Sequence, residues 1–107
     1  MPPAVDRQPD RFRLDQNYPN PFNPTTVIRF TLPEESYVTV KVFNVLGQEV
    51  KTLYNNVLLD PGQQEVTFDA SSLSSGIYFY SLTAETQADD EGAKVRYTEM
   101  KKMLLMR

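Results

Sequence analysis

Short runs in which apolar and polar side chains strictly alternate constrain this fold most. A period of two places the apolar side chains on one face of a β-strand, whereas a helix of the same sequence would have no single apolar face. Turn-forming residues follow each run, at 33–36 and at 44–47. The pattern therefore predicts two half-buried antiparallel strands, with inward side chains Ile28, Phe30 and Leu32 in the first and Val38, Val40 and Val42 in the second.

Further strands are predicted where the alternation is shorter or shifted. In residues 48–54, Val50 and Leu53 both face inward only if a β-bulge changes the phase of the strand. The most aromatic strand spans residues 77–82, with Tyr78, Tyr80 and Leu82 on one face and Ile77 and Phe79 on the other. The remaining strands are predicted at residues 12–16, at 63–69 with Val66 and Phe68 on one face, and at 93–106.

Seven short strands with turns every eight to twelve residues or so are typical of an immunoglobulin-like antiparallel β-sandwich. The chain of 107 residues is long enough for one domain with its own core. It contains no cysteine, so the sandwich is predicted without a disulfide and with a core of aliphatic side chains, Phe and Tyr.

The first residues differ from the rest in composition. Three of the first ten residues are proline and charges are scattered among them, which is typical of an inter-domain linker. We predict a linker remnant over residues 1–11 and a domain over 12–107, cut from the end of a larger protein. The chain has neither an apolar signal-peptide region at its start nor a transmembrane run of about 20 apolar residues.

A proline-rich segment precedes the first long strand. Its prolines exclude a helix, and its asparagines are predicted to close turns by bonding their own backbone. Tyr18 and Phe22 are predicted to anchor the segment on the core. A ligand for a proline-binding groove is the alternative, but a PxxP spacing occurs only at 21–24, so the structural interpretation is preferred. The segment comprises Tyr18, Pro19, Asn20, Pro21, Phe22, Asn23 and Pro24, followed by two threonines.

Residues for catalysis are sparse. The chain has no histidine, and its four glycines are isolated turn residues instead of a phosphate loop. The serines between Ser71 and Ser75 lie near Asp69 but have no base to activate them, so a local turn is predicted. Carboxylates at 34–35 and 89–91 lack the spacing of a calcium loop and are interpreted as solvated loop tips. The sequence predicts a binding or structural module, with no enzyme activity and no cofactor.

Charge sets the last residues apart. Residues 94–107 contain five basic side chains against Glu99 alone, a net charge of +4 in a chain whose overall charge is −3. A nucleic-acid-binding domain would be expected to be basic over a whole face, so no nucleic-acid partner is predicted.

The order of five motifs resembles the C-terminal sorting domain of the type IX secretion system, type A, which is immunoglobulin-like. The resemblance covers about residues 14–106. Besides the proline-rich segment from Tyr18, the motifs are Ile28-Arg-Phe-Thr-Leu-Pro33, Val42-Phe-Asn-Val-Leu-Gly-Gln-Glu-Val50, Leu73-Ser-Ser-Gly-Ile-Tyr-Phe-Tyr80 and Lys101-Lys-Met-Leu-Leu105.

The resemblance implies a function in export. Such domains direct a folded cargo, joined at their amino-terminal side, from the periplasm through the outer-membrane translocon of a Gram-negative bacterium to the cell surface or medium. The expected partners are the translocon, its outer-membrane shuttle and a sorting peptidase, which usually cleaves N-terminal to the domain, here within about residues 1–14. The resemblance assigns Gly47 and Gly76 to structural turns and assigns translocon recognition to Lys101, Lys102, Met103, Leu104, Leu105 and Met106.

An adhesion or assembly module is the alternative, since hook-capping proteins have similar segments and related sandwiches bind carbohydrate. The strand parity of residues 99–107 bears on recognition. Met100, Lys102, Leu104 and Met106 fall on one side, and Glu99, Lys101, Met103, Leu105 and Arg107 on the other. We expect one face to pack into the sandwich and the other to be recognised. As an edge strand, this segment is also expected to offer unpaired backbone groups for strand addition, either to the translocon or, weakly, to a second copy of an otherwise monomeric domain.

Overall fold

The computed structural model describes residues 11–107, so nearly all of the predicted linker lies outside the described residues. Seven β-strands occur within this range, in agreement with the seven predicted from the alternation of side chains. They are β1 (Arg13–Leu14), β2 (Thr25–Leu32), β3 (Ser36–Phe43), β4 (Glu49–Leu59), β5 (Gly62–Asp69), β6 (Gly76–Thr86) and β7 (Arg96–Leu105).

The strands form two sheets, one with the order β1-β2-β5 and the other with the order β4-β3-β6-β7. Every pair of neighbouring strands is antiparallel. The predicted immunoglobulin-like sandwich is therefore confirmed. Its core consists of alternate side chains from both sheets, including Ile28, Phe30, Leu32, Val38, Val40, Val42, Phe68, Tyr80, Leu82, Met103 and Leu105.

Strand β4 has an irregular register against β3. Three register shifts interrupt the pairing, and Val50 and Leu53 both pack against the core, as the predicted bulge requires. Asn56 lies in the shift between Tyr54 and Val57. It has a φ of 55° and donates its backbone N–H to the Thr39 hydroxyl. The strand ends at Leu59, five residues beyond its predicted end, because the bulges let it follow β3 to its first residue.

Glycine is required at the turn between β3 and β4. Gly47 has a φ of +80°, a conformation that side chains with a Cβ adopt only at a cost, and its N–H donates to the Asn44 carbonyl. The Asn44 side-chain oxygen also accepts the backbone N–H groups of Leu46 and Gln48. This turn leaves Val45 and Leu46 exposed at one end of the four-stranded sheet.

The two loops that were interpreted as turns are held by single carboxylates. Asp69 accepts the backbone N–H and the hydroxyl of Ser71, and Asp89 accepts the backbone N–H groups of Glu91 and Ala93. These hydrogen bonds lower the pKa of both carboxyl groups. The predicted local turns are confirmed.

The β1–β2 connection (residues 15–24) corrects one prediction. Phe22 is buried and its ring lies 6.0 Å from that of Phe68, but Tyr18 is 72% exposed, so its predicted role as a core anchor is wrong. The backbone of Tyr18 exchanges two hydrogen bonds with Val27, and this pairing leaves its ring on the outside. Asn17 is buried in its place, and its amide donates to the Pro19 carbonyl and to the Thr26 hydroxyl.

Replacing each of the two aromatic residues tests this correction. We expect Phe22→Ala to lower the free energy of unfolding by about 3–5 kcal/mol, because it leaves a cavity in the core. The matched variant Tyr18→Ala should change it by less than about 0.5 kcal/mol, as at other exposed positions. Urea denaturation followed by far-UV circular dichroism measures both. Equal losses would contradict the placement of Tyr18.

Candidate recognition site

The segment with the predicted recognition residues forms β7, at one edge of the four-stranded sheet. It pairs with β6 through ten consecutive residue pairs, from Gly76 opposite Leu105 to Glu85 opposite Arg96, without a bulge. An uninterrupted register sends alternate side chains to opposite faces along the whole strand. The two faces of β7 are therefore clearly separated.

The inner face of β7 is part of the core. Met103 and Leu105 are 1% and 0% exposed, whereas Lys102 and Met106 are exposed and Leu104 is partly exposed. The predicted division of this segment into a packed face and an outward face is confirmed. Of the six predicted recognition residues, the structure thus places two in the core, Lys102, Leu104 and Met106 on the outward side, and Lys101 half-buried on the inner side.

Neighbouring strands extend the outward face of β7. Phe43, Phe79 and Lys102 form one row across β3, β6 and β7, and Ile77 lies opposite Leu104 in the next row. Ile77 is 41% exposed and the two Phe side chains are partly exposed. We call the surface formed by Phe43, Ile77, Phe79, Lys102, Leu104 and Met106 the outer patch.

Sequence reasoning did not assign Phe43, Ile77 or Phe79 to this site. The strand parity had placed Ile77 and Phe79 opposite the core-facing tyrosines of β6, which is the signal that they point outward. What it lacked was the pairing of β6 with both β3 and β7, because cross-strand neighbours depend on sheet order and register. The site is accordingly a surface of three strands.

The β1–β2 connection covers the terminal half of the β7 edge. The Phe22 backbone N–H donates to the Leu104 carbonyl, and the Phe22 carbonyl accepts the Met106 N–H, both at 3.0 Å. The Asn20 side-chain oxygen accepts the Leu104 N–H, and the Gln16 amide donates to the Lys102 carbonyl. The expectation of unpaired backbone groups in this edge strand is therefore wrong for most of its terminal half. The predicted turn role of Asn20 is likewise corrected, since its side chain bonds β7.

Tyr80 fixes the start of this connection to β6. Its buried hydroxyl donates to the Asp15 carbonyl at 2.6 Å and accepts the Asn17 backbone N–H at 2.8 Å. Burial raises the pKa of Tyr80 to about 12, because the phenolate would lose its hydration. The neutral phenol thus links the core strand to the segment that covers β7.

Charged groups on the inner side of β7 are paired with each other. The Lys101 ammonium lies 3.5 Å from the Glu99 carboxylate, which also accepts the Tyr97 hydroxyl. Burial, followed by this hydrogen bond, raises the pKa of Tyr97 to about 12. On the outer side, no carboxylate within residues 11–107 forms an ion pair with Lys102. Lys102 is therefore the cation of the outer patch.

Arg107 is a further residue whose role the sequence did not show. The Arg107 guanidinium donates to the backbone carbonyls of Ala70, Ser71 and Leu73 at 2.7–3.2 Å. The Arg107 backbone N–H donates to the Ser75 hydroxyl. These contacts hold the residues after β7 against the serine-rich loop. Met106 is thereby fixed between Phe22 and Arg107.

The fold and this surface define an immunoglobulin-like module with an exposed apolar and basic patch. No helix in the described part of the chain is long and apolar enough to cross a membrane. Likewise, residues 11–107 contain no cluster of three or more acidic side chains that could hold a metal ion. The arrangement is suited to binding another macromolecule.

Comparison with known families specifies the module. The family model of the secretion system C-terminal sorting domain matches residues 16–95, well over half of the chain, so the chain belongs to this family. It is a C-terminal sorting signal for type IX secretion, which directs export to the surface of a Gram-negative bacterium or into the medium. The match favours sorting over the adhesion alternative. Neither the curated proteins nor the solved structures give a match.

The family is not a class of enzymes. Four of the five motifs behind the resemblance lie within the matched residues, but β7 begins at Arg96, directly after the match ends. The recognition role of residues 101–106 therefore stays a prediction.

Removing the Tyr80 hydroxyl tests the link between β6 and the connection. We expect Tyr80→Phe to destabilise the domain by about 1–3 kcal/mol, because the buried Asn17 N–H loses its acceptor. The raised pKa makes a second prediction: the stability from the neutral phenol is complete below pH 10 and is lost as the pH rises towards 12.

The wild-type domain should therefore lose stability more steeply above pH 10 than the Phe variant does. Urea denaturation between pH 8 and 11.5 measures the slope, and Tyr37→Phe, at a partly exposed ring, is the control. Parallel pH profiles for the wild type and the Tyr80 variant would contradict the assignment.

Proposed function

We propose that this domain carries a folded cargo, joined at its amino-terminal side, to the type IX translocon, and that the outer patch is the surface that the translocon or its shuttle recognises. Membership of the sorting family supports the first part. The observation that carries the second is the burial of Met103 and Leu105 beside the exposure of Lys102 and Met106. A folded domain presents only the outward side chains of β7 to a partner.

Composition of the outer patch supports the same role. Five of its six side chains are apolar, and Lys102 is the single charge. Exposed apolar patches on monomeric domains mark interaction sites, and a lone cation among apolar groups selects partners by charge. Met103 and Leu105 would then act by holding β7 in place, and Lys101 by its ion pair with Glu99 on the inner side of the strand.

We further propose that the domain passes through the periplasm with its cargo and that the sorting peptidase separates them within about residues 1–14. Arg13 begins β1, so the Arg11–Phe12 and Phe12–Arg13 bonds lie outside the strands formed by residues 11–107. Cleavage there would release the domain with its core intact. Exposed chain outside paired strands is more accessible to a peptidase than a strand within a sheet.

Secretion of a fluorescent cargo fused to this domain tests the recognition surface. In a bacterium with a type IX system, Leu104→Asp and Lys102→Glu should each reduce surface or medium fluorescence by about tenfold or more. The first variant would bury an unpaired carboxylate in the interface, and the second would reverse the charge of the patch. Deleting residues 101–107 should abolish export, but that deletion also removes two core side chains.

Matched controls separate recognition from folding. Thr67→Asp and Lys51→Glu introduce the same charge changes at exposed strand positions outside the patch and should leave export unchanged. Circular dichroism of each purified domain confirms folding. Normal export of the two patch variants would refute recognition by the outer patch, and normal export after the deletion would refute the sorting role itself.

A further inference from the structure

One stretch of the β7 edge, away from the outer patch, has no strand beside it. The Leu104 N–H points away from β6, towards Asn20, and in an antiparallel pair the backbone groups of every second residue share this direction. The backbone N–H and C=O groups of Arg96, Thr98 and Met100 therefore also point away from β6, along the edge of the sheet. No strand formed by residues 11–107 lies on that side of β7. We call residues 96–100 the open edge.

The opposite edge of the same sheet differs. Strand β4 carries three register shifts along its length, and bulges are a common protection of edge strands against unwanted pairing. The open edge pairs with β6 without any shift. It is regular and extended, and it has outward donors and acceptors in the spacing that an added strand needs.

An apolar pocket lies beside the open edge. This open pocket of about 470 Å³ is lined by Phe12, Pro33, Val95 and Tyr97, together with the oppositely charged Arg11 and Glu34. The rings of Phe12 and Tyr97 are stacked with centroids 5.2 Å apart, which fixes one wall. Val95 and Tyr97 flank Arg96, and an added strand would have an inward side chain about 5 Å from Tyr97. Such a side chain would reach the pocket.

Charge on the outward side of β7 has one sign. From residue 96 to 106 the outward side chains of β7 include Arg96 and Lys102 but no carboxylate, since Glu99 is on the inner side with Lys101. Glu85 of β6 lies opposite Arg96 on the same face, but the two side chains form no ion pair. Strand addition draws its affinity from backbone hydrogen bonds and its specificity from alternate side chains. An added strand with carboxylates on the outward side would complement the cations of β7. An apolar side chain on its inward side would complement the pocket.

We propose that the open edge binds an extended acidic polypeptide segment of a partner protein by strand addition, with one apolar side chain of that segment in the Phe12–Tyr97 pocket. This is a second docking surface, distinct from the outer patch. It does not depend on the proposed recognition of that patch by the translocon.

A second copy of this chain fits the open edge less well. A symmetric antiparallel pair of open edges would bring together two copies of the same outward cations, Arg96 and Lys102, with no outward carboxylate on either β7 strand. Opposite charges across a strand pair stabilise it, and a second β7 strand does not supply them on this face.

Binding of a designed peptide tests the proposal. The probe is acetyl-Thr-Glu-Val-Glu-Phe-Glu-Val-Glu-Thr-amide, whose palindromic sequence presents the same alternation in either direction, and its control has Lys in place of every Glu. In a titration of the purified chain followed by ¹⁵N–¹H NMR, we expect the acidic peptide to shift the backbone amides of Thr98 and Met100 and to slow their hydrogen exchange. The lysine peptide should bind at least about tenfold more weakly, and added salt should lower the affinity for the acidic peptide.

Variants separate strand addition from charge attraction. Thr98→Pro removes one outward N–H and should reduce binding by about tenfold or more, whereas Thr98→Val keeps the N–H and should bind as the wild type does. Arg96→Glu should lower the affinity for the acidic peptide and raise the affinity for the lysine peptide. Lys51→Glu, on the β4 edge, should change neither. Phe12→Ala tests the pocket and should reduce the affinity for the acidic peptide.

Several results would overturn the proposal. They are equal binding of both peptides, undiminished binding to the Thr98→Pro variant, and shifts confined to the outer patch. Sedimentation that shows a wild-type dimer and a monomeric Thr98→Pro variant would identify a second copy as the occupant instead. Binding that begins only after residues 1–10 are deleted would identify the chain's own first residues. The assay involves no export, so its failure leaves the sorting role untouched.

Discussion

The unbroken pairing of β7 with β6 is the constraint on which the outer patch depends. Ten residue pairs in one register oblige Met103 and Leu105 to enter the core and Lys102 and Leu104 to face away from it. A shift by one residue would exchange these two sets and expose the core side chains. The burial of Met103 and Leu105 therefore stabilises the strand and orients its outward side chains at the same time.

The β1–β2 connection holds β7 in this register. Its Phe22 side chain fills the core while its backbone bonds Leu104 and Met106, so a single residue joins the interior to the β7 edge. Tyr80 holds the beginning of the connection through a hydroxyl that serves two backbone groups. The edge is consequently divided into a terminal half covered by the chain itself and the open edge at residues 96–100.

This division separates two kinds of surface on one strand. Around residues 102–106 the backbone groups are largely hydrogen-bonded within the domain, and the side chains form the outer patch with those of β3 and β6. Around residues 96–100 no strand formed by residues 11–107 pairs with the backbone groups that point away from β6, and an apolar pocket and Arg96 lie beside them. Neither surface contacts nor edge pairing requires the core to open.

The alternation of side chains in residues 28–32, 38–42 and 77–82 was enough to predict the strands, the sandwich and most of the core, because inward positions in a strand follow from local periodicity alone. The order of the motifs was enough to indicate the family. The sequence could not show that Tyr18 lies outside and Asn17 inside, or that Asn20 and Phe22 bond β7. Nor could it show that Phe43 and Lys102 lie in one row, with Phe79 of β6 between them. Those relations link residues far apart in the chain, and only the order and register of the sheets bring them together.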